Sequence, residues 1–197
     1  MKYKITMFAD FQCPYCYIAK NIVDRLKKEY DIEILFRGYE IHPDIPENGI
    51  RSEIYFPNAK QKNIQLQEFG RQYGLEFTDI TEMPNSNKAL QVAEYAKSVN
   101  KSEEYNTAMY EAFFFHGINI GLIPEIKKIS LSIGISEEEV DNVFYTDKYK
   151  NSLINNKYFC RDNNITSVPT FIINDQVVLV GAQSFENFKK VFEELKK

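Results

Sequence analysis

Asp10-Phe11-Gln12-Cys13-Pro14-Tyr15-Cys16-Tyr17-Ile18-Ala19-Lys20 sets a Cys-x-x-Cys pair where an apolar run, Tyr3–Ala9, gives way to a helical pattern. Pro14 suits the first helical position, because its fixed φ is already helical and its missing N–H would find no partner there. Cys13 then falls at the N-cap and Cys16 one turn inside the helix. A thiolate at Cys13 would face unpaired backbone N–H groups and the positive end of the helix dipole, both of which stabilise an anion. That arrangement is the geometry of a dithiol–disulfide redox centre. A structural zinc site would need two further Cys or His ligands at recognisable spacing. Only Cys160, His42 and His116 remain, each remote in sequence and none paired with another ligand. Redox chemistry without a metal is the reading the spacing favours.

Working outward, Pro14–Tyr30 reads as an amphipathic helix with Ile18, Ile22, Val23 and Leu26 on its apolar side, and Ile32–Tyr39 as a second strand. A β-α-β unit of this kind is parallel and right-handed. Glu40-Ile-His-Pro-Asp-Ile-Pro-Glu-Asn-Gly49 is a loop, broken by its prolines, Asn and Gly. From about residue 58 to 163 the pattern is helical, with helices expected at 58–73, 87–100, 102–116, 122–133, 136–145 and 148–163. Ser136-Glu-Glu-Glu139 reads as a capping box. Thr170–Ile173 and Val177–Val180 flank Asn174-Asp-Gln176, a hairpin turn whose residues tolerate positive φ. A closing helix, 184–196, puts Phe185, Phe188, Val191, Phe192 and Leu195 on one face. With the helical block removed, a small α/β domain remains: residues 1–45 and 160–197 form it, and 46–159 are the insertion.

Composition narrows the field. The 197 residues are 44% hydrophobic with a net charge of −4, enough for a sizeable core and without a basic stripe for nucleic acid. No apolar run reaches the roughly 18 residues a bilayer span requires. Met1-Lys-Tyr-Lys leads directly into the first strand with no secretory pattern. Three cysteines, two in one motif, fit a reducing compartment. A cytoplasmic protein is therefore expected.

With these residues and elements, the chain resembles the thioredoxin fold, and within it the DsbA-like oxidoreductases that carry a helical insertion. Asp10-x-x-Cys-Pro-Tyr-Cys-Tyr-Ile, Phe36-Arg-Gly-Tyr-Glu-Ile-His-Pro-Asp-Ile-Pro-Glu-Asn-Gly49, Asn87-Lys-Ala-Leu90, Glu111-Ala-Phe-Phe114 and Ser167-Val-Pro-Thr-Phe171 with Gly181-Ala-Gln183 are similar to its cytosolic FrnE-like branch. The resemblance implies an α/β thioredoxin-like fold with a large inserted helical domain. It implies Cys13 as nucleophile, Cys16 as resolving thiol and a cis Val168–Pro169 bond packed against them. Val168, Pro169 and Thr170 would then pair with an extended substrate. No metal or organic cofactor is called for. Expected partners are protein or small-molecule disulfides, with glutathione or another thiol as reductant, and neither nucleic acid nor membrane.

Pro14, Tyr15, Asp10 and His42 are candidates for tuning the thiols. Many relatives keep a buried carboxylate beneath the dithiol, and here Met7 occupies the expected strand position. Asp10 either takes over that relay or bonds the turn backbone. Glu40 and His42 either line the cleft or are structural. His116 reads as a helix-end residue, and Cys160, in a Tyr-Phe-Cys run, as a small buried hydrophobe. The aromatic stripe Tyr105, Met109, Tyr110 and Phe113–Phe115 reads as core, with a share lining the cleft. Two other functions fit the same residues: a glutathione-dependent isomerase or transferase of the kappa-like kind, against which the second cysteine argues, and a chaperone-like module with the dithiol as redox switch.

Overall fold

The computed structural model describes residues 1–196. Strand β1 (Tyr3–Ala9) is central: β2 (Ile32–Gly38) pairs with it in parallel and β5 (Thr170–Ile173) antiparallel, and β6 (Val177–Val180) closes the order β2-β1-β5-β6. Strand alternation sends Tyr3, Ile5 and Met7 to one face and Phe8 to the other. Helices α1 (Pro14–Leu26) and α9 (Phe185–Glu194) cover the first face, with Phe192 stacked on Tyr3 and Phe188 edge-on to Phe171. Helix α8 (Lys148–Asp162) covers the second, where Phe159 stacks on Phe8 beside Cys160 and Ile165. The α/β thioredoxin-like architecture is thus present, with a helical layer inserted between β2 and β5.

That layer comprises α2 (Ser52–Tyr55), α3 (Ala59–Arg71), α4 (Asn87–Ser98), α5 (Ser102–Tyr110), α6 (Ile123–Ser132) and α7 (Glu137–Tyr145). Ser136 and Glu139 form the capping box at the start of α7, each side chain accepting from the other's backbone N–H. Two-residue strands β3 (Ile50–Arg51) and β4 (Glu82–Met83) pair antiparallel and tie the ends of the α2–α3 excursion together.

Two expectations need correction. The helix from Pro14 ends at Leu26, not Tyr30, because Lys27, Lys28 and Glu29 offer no apolar face and the chain tightens into i→i−3 turns. Ser102–His116 is not one α-helix: after Tyr110 it widens into a π-helical turn, Glu111–Phe115, closed by the His116 N–H on the Glu111 carbonyl. The wider turn brings three consecutive residues, Ala112, Phe113 and Phe114, into the interior. Between α3 and α4, where no helix was expected, the chain is extended and β4 lies inside it.

The two layers are joined at Gly38. Its N–H donates to the Glu94 carboxylate and its carbonyl accepts from Asn156 Nδ2, which also donates to Glu94. Lys97 neutralises the other Glu94 oxygen. A Cβ at Gly38 would stand 2.8 Å from the Leu153 side chain, so glycine is what lets β2 approach the helices.

Candidate active site

The site begins with a sharp turn between β1 and α1. Asp10 Oδ1 accepts the Gln12 N–H at 3.0 Å and Oδ2 accepts the Ile41 N–H at 2.7 Å, so one carboxylate ties the cysteine turn to the loop after β2. The Cys13 N–H closes the turn on the Asp10 carbonyl. Cys13 is the N-cap of α1, Pro14 opens the helix, no side chain caps it, and no acidic residue stands in its first turn. Its free N–H groups are therefore available to a negative sulfur.

Cys13 exposes 4% of its surface and Cys16 none, so incoming sulfur can reach only the first. Both are thiols in this structure. The Cys13 Sγ–H donates to the Val168 carbonyl at 3.6 Å, across from a cis Val168–Pro169 bond. Burial pushes the Cys16 thiol well above the ordinary range; the Cys13 sulfur beside it acts in the same direction, and the Asp10 backbone N–H opposes them. Asp10 itself is pushed up to about 6, first by burial and in small part by Glu40, against the hydrogen bonds from Gln12, Ile41 and Ser86. Asp10 thus bonds the turn, and it is also the buried carboxylate next to the dithiol; Met7 lies inside the sheet core.

A carboxyl whose folded value exceeds its unfolded one weakens the fold only once the unfolded chain has ionised. The effect of Asp10 is absent below about pH 4, grows as pH rises towards 6 and is constant beyond that. Asp10→Asn removes this slope. Between pH 4 and pH 7 the stability difference should move by about 3 kcal/mol in favour of the variant, at about 1.4 kcal/mol per unit. Urea midpoints across that range test it, and parallel profiles would refute it.

Above the thiols lies a cleft of about 520 Å³ between the layers. Cys13, Gln12, Ile41, His42 and Val168 form its near wall, and Phe56, Leu66, Phe69, Phe113 and Phe114 much of its far side. Tyr15 leans across the mouth to meet Phe69 edge-on at 5.5 Å. Lys62 holds its ammonium over the Phe56 ring at 3.6 Å, the cation of the far wall. His42 is fixed by Tyr55: the Tyr55 hydroxyl lies 3.0 Å from both His42 Nδ1 and Asp44. A carboxylate only accepts, so Tyr55 donates to Asp44 and takes the proton of Nδ1, leaving Nε2 as the acceptor of the neutral ring. Burial lowers the His42 pKa, with Asp44 acting against it.

The structure brings Cys13, Pro14, Tyr15, His42 and Val168 to this cleft, with Asp10 and Cys16 fully buried behind Cys13. Pro169 and Thr170 stand behind it: the Pro169 carbonyl accepts from Gly181 N–H, and Thr170 Oγ1 donates to the Ser167 carbonyl. Glu40 turns away to Asn87, His116 follows the π-helical turn, and Cys160 is sealed behind the sheet, its thiol pushed up to about 11 by burial. Among the described residues no three His, Cys, Asp or Glu side chains converge as a metal site. Sequence reasoning missed Gln12, Ser86 and the α3 wall. Leu66 and Phe69 do share a helical face, but nothing in the sequence aims that face at Cys13.

A thioredoxin sheet with a nearly buried thiol at a helix N-terminus, a sealed partner thiol and a cis-proline loop opposite defines the class of thioredoxin-fold dithiol proteins. The chain belongs to the DSBA-like thioredoxin domain family, whose model matches residues 4–193, a family of thiol–disulfide oxidoreductases. Its whole length is 28% identical to YwbO, an uncharacterised protein of Bacillus subtilis, over 99% of that protein. A probable DsbA oxidoreductase from Streptomyces coelicolor superposes with a TM-score of 0.87 at 17% identity, covering 98% of this chain and 89% of that one. The cytosolic disulfide reductase DsbM from Pseudomonas aeruginosa, solved with GSH, superposes with a TM-score of 0.75 at 12% identity, covering 98% and 100%. Among the described residues no helix is long and apolar enough to cross a membrane.

Proposed function

We propose that the protein exchanges disulfides through Cys13 and Cys16. The Cys13 thiolate attacks a substrate disulfide R–S–S–R′ and expels R′–S⁻, which takes up a proton; Cys16 then displaces R–S⁻ from Cys13 and leaves the pair oxidised. The reverse sequence delivers a disulfide. The observation that carries this reading is the asymmetry of the pair: Cys13 at the cleft, 3.6 Å from the Val168 carbonyl, and Cys16 shut behind it. Attack at Cys13 frees that carbonyl from the thiol, so the Val168 backbone becomes available to an extended substrate.

Substrates in this reading are protein or small-molecule disulfides, and a small thiol such as glutathione restores the dithiol. Support comes from the family and from the likeness to the cytosolic reductase solved with GSH. A cytoplasmic setting belongs to the same reading. Titration in a glutathione redox buffer, with thiols counted by alkylation and mass, tests it: two thiols should disappear together into a Cys13–Cys16 disulfide. Cysteines that resist oxidation while zinc co-purifies would replace the dithiol with a metal site.

A further inference from the structure

One group beside the sulfurs has no task in that sequence. Tyr110 comes from α5, yet its hydroxyl reaches the floor of the dithiol: it donates to the Asp10 carbonyl at 3.3 Å, and Cys16 is near enough to act on it. The ring is completely buried and held on both flanks of the cysteine motif, edge-on to Phe11 at 5.1 Å and stacked on Tyr17 at 5.3 Å. Burial first, then Cys16, Cys13 and Asp10 nearby, hold this phenol well above its ordinary range, so it remains an O–H donor.

The present hydrogen bond is long for a hydroxyl, where about 2.7–2.8 Å is usual, and both its partners are neutral. A thiolate is a stronger acceptor, because charge-assisted bonds are roughly twice as strong as neutral ones. Cys16 must become a thiolate to resolve a mixed disulfide, and it must do so away from water. The Asp10 backbone beside it already favours the charged form.

We propose that Tyr110 is the donor that stabilises the Cys16 thiolate: as that sulfur ionises, the Tyr110 O–H turns from the Asp10 carbonyl to Cys16 and completes a two-donor seat with the Asp10 N–H. This rests on the reading of Cys13 and Cys16 as nucleophile and resolving thiol. In the step concerned, the Cys16 sulfur forms a bond to Cys13 Sγ, and the bond from Cys13 to R–S breaks. R–S⁻ leaves with the electron pair and takes up the proton that Cys16 lost, giving the Cys13–Cys16 disulfide and R–SH. In reverse, Cys16 is the leaving group and the same two donors hold its charge.

The groups facing Cys16 are Cys13, the Asp10 carboxylate and Tyr110. Asp10 in turn faces Glu40 and Ser86. Beyond Tyr110 a cavity of about 20 Å³ is lined by Asn106, Glu103 and the paired Lys20 and Asp24. Of all these, Tyr110 is the side-chain hydroxyl placed to turn from the Asp10 carbonyl to the sulfur.

The test uses oxidised glutathione as probe, with acid quench and intact mass to follow the Cys13 mixed disulfide and its resolution in the full chain. Tyr110→Phe should leave mixed-disulfide formation unchanged and slow resolution roughly 10- to 100-fold, the range for a hydrogen bond to a charged group. The pH midpoint of resolution should move alkaline by about one unit or more. A 3-fluorotyrosine at position 110 keeps the ring and is a stronger donor, so its midpoint should move to the acid side. Resolution at wild-type rate with an unmoved midpoint in Tyr110→Phe overturns the proposal, as does a fluorotyrosine profile identical to wild type. Should Tyr110→Phe fail to fold, the fluorotyrosine protein decides. A wild-type protein that forms no Cys13 mixed disulfide overturns the dithiol reading itself, a result visible before any variant is made.

Discussion

Cys13→Ser is expected to reduce disulfide exchange to the uncatalysed background, while Cys16→Ser retains the first attack and accumulates a stable mixed disulfide on Cys13. The difference follows from access. Cys13 touches the cleft and the Val168 carbonyl, whereas Cys16 has no exposed surface and can act only on a sulfur already attached to Cys13. A serine hydroxyl cannot replace either thiol, because the thiolate is the nucleophile and an alkoxide is not formed near neutral pH. Intact mass after incubation with a disulfide substrate checks both variants: a covalent adduct on Cys16→Ser and none on Cys13→Ser. Adducts appearing equally on both would show that the order of attack is wrong. Sustained glutathione-dependent turnover by Cys16→Ser, without disulfide reduction, would mark transferase-type chemistry in place of exchange.

Phe11→Ala should produce the largest loss of stability among single substitutions near the thiols, about 3–5 kcal/mol for truncating a fully buried phenylalanine. Phe11 has no exposed surface; it stacks on Phe36 of β2 at 5.4 Å and meets Tyr105 and Tyr110 of α5 edge-on. One ring therefore joins the sheet, the cysteine turn and the inserted helices. In a chain of this size the melting temperature should fall by roughly 10 °C. Phe115→Ala is the control, because Phe115 is half exposed and its truncation should change little. Urea denaturation of the two variants measures the contrast, and a Phe11→Ala protein as stable as Phe115→Ala would remove Phe11 from the joint.

The strands were legible because each is a short apolar run between turn residues, and the capping box because its two partners are three residues apart. The Cys-Pro-Tyr-Cys turn was legible for the same reason: proline at the first helical position is a local signal. The β3–β4 pair was not, since two-residue strands 31 positions apart leave no periodicity to read. Nor was the π-helical turn, because an extra residue per turn shifts Phe113 and Phe114 inward without changing the composition. The two roles left open for Asp10 could not be separated in advance, as the carboxylate performs the turn bonding with its oxygens and stands next to Cys16 by virtue of the same turn. Tyr110 was visible only as a core aromatic. Its hydroxyl bonds the Asp10 carbonyl beside the dithiol across a hundred residues of sequence, a proximity that chain order does not encode.

Phe56, Lys62, Leu66 and Phe69 belong to α2–α3 and the turn between them, while Cys13, Cys16 and the helix they open belong to the sheet layer. On the proposed function, much of the cleft's far wall and the reactive thiols are thus carried by separate pieces of chain, and the β3–β4 pair ties off the ends of the α2–α3 excursion. Exchanging that excursion between homologues, or randomising its four inward positions, would recast what the cleft accepts without redrawing the sulfur chemistry beneath it. The fold is, in engineering terms, a fixed warhead with an interchangeable cover.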